Sequence, residues 1–155
     1  MNTEQLKLLA PDLTKNYPRS VHEKLHGLVQ IGRTLDKAYA TAEGHVGEYH
    51  YNCGMDQAVL GFLGIDHEAL LDVVKTKTPA EVDAYVKSFI DKKSPEEIAS
   101  WNKQWLNTTP TGDSLEFFLK LRGQIAPERT DVTHWPDLLD LDEKRTVPKR
   151  ETVNA

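Results

Sequence analysis

Cysteine is almost missing from this 155-residue chain: Cys53 is the single one, which excludes an internal disulfide. Long apolar runs are missing too. The longest, Ala58 to Ile65, contains two glycines and falls far short of the ~20 residues that cross a bilayer. Nothing at the N-terminus reads as a charged segment followed by an apolar run, so no export signal is expected. Nor is there a basic excess. Nineteen Lys and Arg stand against 24 Asp and Glu, a net charge of −5, and the two signs are interspersed. Domains that live on phosphate backbones are usually basic, with the charge on one face. No run alternates apolar and polar residues for long enough to argue for a sheet, and neither an internal repeat nor a Gly/Ser linker is present. These absences point to a soluble cytoplasmic protein, with no membrane and no nucleic acid as partner and no cofactor implied.

What is present reads as helix. The length suits one domain, predicted over residues 1–141, which buries roughly 70% of its unfolded surface without disulfide or metal. Residues 1–19, punctuated by Pro11 and Pro18, read as an irregular leader. Ser20-Val-His-Glu23 has the form of a capping box, and Leu25, Leu28, Val29, Leu35, Ala38, Tyr39 and Ala42 follow at helical spacing. A first long helix is therefore expected from Ser20, ended by Gly44 in the left-handed conformation. A short helix over Met55–Leu63 closed by Gly64, and a third capped by Asp66 and running to about Lys75, come next. Thr78-Pro-Ala-Glu81 and Ser94-Pro-Glu-Glu97 each combine a cap, a proline at the first helical position and a glutamate at the third. A sixth helix is expected after Asp113, and a last turn from His134 to Leu141. Trp101, Trp105 and Trp135 fall at core-like spacings. From Asp142 half of the residues are charged; such a segment buries too little to offset its ordering entropy, and disorder is expected over 142–155. The fold class is all-α, a bundle-like domain of about six helices.

The chemistry-bearing residues concentrate in one connection, Gly47-Glu-Tyr-His-Tyr-Asn-Cys-Gly-Met-Asp-Gln57. Connections on a rigid scaffold are where function tends to sit. Glu48 and Asp56 are candidates for an acid/base pair; Asp56 as a helix cap and Glu48 in an ion pair are the competing readings. Cys53 is a candidate nucleophile if a histidine lies near it in space, against the reading of a buried small apolar residue. Tyr49 and Tyr51 alternate with polar residues, so an extended segment would present an aromatic wall on one side and Asn52 with its polar neighbours on the other. Arg33, Asp36 and Lys37 of the first long helix complete the candidate binding set, Arg33 because a guanidinium holds an anion through paired hydrogen bonds.

A second pattern lies elsewhere. His22-Glu-Lys-Leu-His26 fits H-E-x-x-H, which on a helix sets two imidazoles on one face for zinc with the glutamate as base. Here the motif occupies the expected first turn, where Glu23 already serves a cap, and no glycine and third histidine follow at metzincin spacing. His22 and His26 are thus an alternative metal pair, not the main reading.

Tyr17-Pro-Arg-Ser20, Leu35-Asp-Lys37, Gly47-Glu-Tyr-x-Tyr-Asn-Cys53, Asp56-Gln57, Phe62-Leu-Gly-Ile-Asp66, Ser94-Pro-Glu-Glu-Ile-Ala-x-Trp-Asn102 and Leu138-Leu-Asp-Leu-Asp142 together resemble a bacterial family catalogued as domain of unknown function fifty sixty-nine. The resemblance runs from about Asp12 to Asp142, with Gly54 standing where a proline-like turn would be expected. It implies a single domain and carries no activity. Three functions therefore compete: a binder of a small polar or anionic molecule with acid/base chemistry at the 47–57 segment, an interaction module without a ligand, and a zinc-dependent hydrolase at His22 and His26.

Overall fold

The computed structural model describes residues 11–150, and among these it is all-α, with no strand beyond one isolated bridge. Seven helices follow in order: α1 (Ile31–Glu43), α2 (Gly54–Leu63), α3 (His67–Thr76), α4 (Pro79–Ile90), α5 (Pro95–Leu106), α6 (Asp113–Ile125) and α7 (Trp135–Asp142). The capping chemistry behaves as the residue types dictate. The Thr78 hydroxyl accepts the Glu81 N–H at 3.2 Å while the Glu81 carboxylate takes the Thr78 N–H at 3.1 Å, and Ser94 and Glu97 repeat the exchange at 3.1 Å each way. These hydrogen bonds hold both glutamates below the usual carboxyl range. Asp66 accepts from Ala69 N–H at 2.9 Å to start α3. Gly44 and Gly64 end α1 and α2 with φ of 79° and 78°, the conformation only glycine adopts without strain.

The first helix departs from expectation. It starts at Ile31, not Ser20, and residues 20–30 form an irregular connection. Ser20 Oγ accepts the His22 N–H instead of an N3 amide, so the capping box does not form. Leu25 and Leu28 exchange backbone hydrogen bonds of 2.9 and 3.0 Å across His26 and Gly27, whose φ values are 49° and 84°. Positive φ at both central residues is the requirement of a tight hairpin turn. Leu28 and Val29 are buried as the stripe requires, but through this turn and not through helical spacing.

By contacts the chain divides after Asn102. In the unit up to Asn102, α1 is buried on nearly every side and packs against α2 and α3. Ile31, Leu35 and Ala38 meet Val59, Leu60 and Leu63 of α2, Leu70 and Val74 of α3, and Val82, Val86 and Ile90 of α4 in one core. Trp101 stacks on Phe62 at 5.2 Å against its edge. In the unit from Lys103, Phe118, Val132 and Leu138 form a separate small core, with Trp135 edge-on to Phe118 at 4.9 Å. Trp101 and Trp135 thus pack, as their spacing suggests.

The charged run at the C-terminus is partly tied down. Arg150 donates to Asp137 at 2.6 Å, to the Leu106 carbonyl at 2.7 Å and to Asn107 at 2.8 Å. Arg145 pairs with Glu143 and Asp140, and Val147 is buried. Disorder from Asp142 is therefore not what residues 143–150 display: basic groups of the run find the carboxylates of α7. Residues 151–155 of that run, and 1–10 of the expected leader, lie outside the described residues. No helix among the described residues is long and apolar enough to cross a membrane.

Candidate functional site

The connection between α1 and α2, residues 44–53, is positioned at both ends. His45 O accepts the Leu13 N–H at 2.8 Å. At Gly47, φ is 61° and a Cβ would sit 2.8 Å from the Leu13 carbonyl oxygen, so both conformation and space require glycine. Asn52 also has positive φ, 67°, which asparagine tolerates better than most residues. Cys53 then caps α2, with its backbone N–H donating to Asp56 at 3.3 Å.

Beneath this connection lies a buried polar network. Lys37 of α1 and Asp56 of α2 form an ion pair of 2.8 Å, with side chains 5% and 0% exposed. The ammonium has three hydrogens and three acceptors: Asp56 Oδ2, the His50 carbonyl at 3.1 Å and Cys53 Sγ at 3.3 Å. Asp56 Oδ1 accepts from Thr34 Oγ1 at 2.6 Å, and Thr34 in turn accepts from the buried Gln30 amide at 3.3 Å. Two charges taken out of water are tolerated only when mutually paired and otherwise satisfied, and here they are. The network ties α1, the connection and α2 together through Lys37.

The predicted residues thus divide. Lys37, Cys53 and Asp56 converge. Tyr51 is half-buried beside them; its hydroxyl donates to the His67 carbonyl at 2.7 Å, and burial, with the Asp56 charge second, pushes its phenol above the usual range. Arg33 is buried, its guanidinium lying 5.6 Å from the Tyr49 ring centroid and donating to the Arg19 carbonyl at 3.2 Å. Asp36 is taken by Arg19, whose backbone N–H and guanidinium reach it at 2.8, 3.1 and 3.0 Å. Gly32 makes room for that guanidinium, since a Cβ there would stand 3.1 Å from Arg19 Cζ. Glu48 is exposed while Asp56 is enclosed with both oxygens engaged, so the two carboxylates are in unlike surroundings. Asn52 offers its carbonyl to Gln57 at 3.0 Å.

Gln30 and Thr34 did not stand out in the sequence. Their signal is the spacing Gln30, Thr34, Lys37, a polar stripe at intervals of four and three that runs beside the apolar face formed by Ile31, Leu35 and Ala38. At His22 and His26 the backbone is a turn, so the one-face geometry that H-E-x-x-H needs is not provided. His26 Nε2 instead meets Asp83 Oδ1 at 2.8 Å. Among the described residues no group of three His, Cys, Asp or Glu is placed to hold a metal ion.

The chain belongs to the family described as Domain of unknown function (DUF5069), whose pattern matches residues 15–145. No curated protein matches it.

Proposed function

We propose that the domain binds a small polar or anionic molecule over the 47–57 segment, and that Cys53, held on Lys37 and Asp56, is the group that meets it. The observation carrying this reading is the shared ammonium: one buried Lys37 donates to the carboxylate and to the only thiol of the chain. A purely structural pair needs no sulfur, and Cys53 is not fully buried. Tyr49 and Asn52 line the same connection and supply an aromatic face and an amide. In this reading Lys37 and Asp56 position, Cys53 reacts or binds, and Glu48 contributes a carboxylate at the exposed edge. A protein-interaction module without a ligand is the alternative, favoured by the exposed Leu115, Phe117 and Leu119 of α6.

The test is a thermal-shift screen of carboxylates, phosphates, sugars and amides, since a ligand that binds only the folded state raises its stability by mass action. A stabilising compound is expected to slow carbamidomethylation of Cys53 by iodoacetamide. Stabilisers that leave the alkylation rate of Cys53 untouched would place the binding elsewhere and contradict the reading.

A further inference from the structure

A second feature lies within the same unit but outside the mid-chain connection. A cleft of about 550 Å³ opens between the 24–27 turn, the end of α4 and the first turns of α5. Its volume falls in the range of small-molecule sites and suits a ligand of roughly ten to twenty non-hydrogen atoms. Ile90, Pro95 and Ile98 are apolar residues of its lining, and Lys24 and Lys93 are the two lysines that line it.

The charge in the cleft is not balanced from within. Among the described residues that line it Asp91 is the one carboxylate, and that group is held by Lys87 at 2.7 Å. Glu97, at the third position of α5, feels the Lys93 charge, but its carboxylate is engaged by the Ser94 N–H. Among the described residues Lys24 is in no ion pair, and Lys93 rests its ammonium 4.7 Å from the Phe62 ring centroid, a contact that a charged ligand group would outcompete.

The walls are fixed in advance. Asn102 donates to the Gly27 carbonyl at 2.8 Å and accepts the Val29 N–H at 3.1 Å, while Asp83 holds His26, whose φ of 49° costs energy outside glycine. A turn held in an unfavourable conformation by partners on two different helices gives a wall that needs no ordering when a ligand arrives.

We propose that this cleft binds a small amphipathic anion, a carboxylate or phosphate head held by Lys24 and Lys93 with its apolar body on Ile90, Pro95 and Ile98. Neither Cys53 nor Lys37 lines it, so the proposal stands or falls apart from the mid-chain reading.

Titration of the isotope-labelled full chain with octanoate, octyl phosphate and 1-octanol, followed by backbone amide NMR, tests it. Both anions are expected to shift the Gly27, Ile98 and Ala99 amides saturably, with 1-octanol at least about tenfold weaker because it lacks the charge-assisted contact. The Lys24→Ala/Lys93→Ala double variant, two surface changes whose folding the same spectra verify, is expected to weaken octanoate by about tenfold. Added salt should weaken it as well. Tighter binding of octanoate than octyl phosphate assigns a carboxylate head, and the reverse a phosphate. Absence of saturable shifts at these amides, equal affinity for 1-octanol, or unchanged affinity in the double variant would overturn the proposal.

Discussion

At the scale of single residues the decisive group is Lys37. Its three donors are all used, and the carboxylate it pairs with has no exposure. Removing one partner leaves the other charge buried and alone. Asp56→Ala is therefore expected to destabilise by about 3–5 kcal/mol in urea unfolding; a loss under about 1 kcal/mol would mean that the pair is solvated in solution. Tyr51 gives a pH-dependent test. Its folded-state phenol titrates above the usual value because of burial, so above about pH 10 the unfolded chain releases a proton that the folded chain keeps. The folded state then binds more protons, and stability falls as pH rises. Tyr51→Phe is expected to lose about 1 kcal/mol near neutrality, for the bond to His67, and to soften the alkaline decline. An unchanged decline would show that other groups carry it.

At the scale of elements, capping chemistry was the most legible part of the sequence. Thr78, Ser94, Asp66, Gly44 and Gly64 act locally, within four residues, and local bonds are readable from a string. The stretch from Ser20 to Gln30 was not, because its signals are ambiguous there: Ser20 and Glu23 fit a capping box, yet Gly27 disfavours helix and the turn beside it is fixed by Asp83 and Asn102, far along the chain. The same non-local bonding hid Gln30 and Thr34 from the candidate set, while Lys37, Cys53 and Asp56 stood out by residue type. Gly54 supplies a prediction of its own. It is the first residue of α2, a Cβ there meets nothing within 4 Å, and Cys53 before it is extended at φ −67°, ψ 174°. Proline is favoured at that position and restricts the unfolded chain. Gly54→Pro should stabilise by about 0.4–1 kcal/mol, read as a raised urea midpoint with the same slope; a lowered midpoint would show that the Gly54 N–H has a partner.

At the scale of the whole molecule, the apolar residues collect in two cores of unequal size. Among the described residues, fourteen buried ones make the core of the unit up to Asn102, and three make that of the unit from Lys103. The sequence displayed both sets of apolar stripes but not the division between them, because periodicity identifies a buried face without saying which faces meet. Burial at roughly 25 cal/mol per Å² makes the larger core the more stable. Native-state hydrogen exchange should accordingly find the slowest amides in α1 and α3 and faster opening across α6 and α7. Equal protection in both sets would show that the two units unfold as one.

The mid-chain network is the centre of the account, and a paired replacement separates its structural role from its functional one. Lys37→Met with Asp56→Leu removes both charges together, a change that buried ion pairs often tolerate without loss of fold. Thermal unfolding of this variant, with and without a compound that stabilises the wild type and shields Cys53, is the direct measurement. The expected result is a helical, cooperatively folded protein that no longer responds to the compound. A folded variant stabilised as strongly as the wild type would contradict it, leaving the lysine–aspartate pair as a packing element alone.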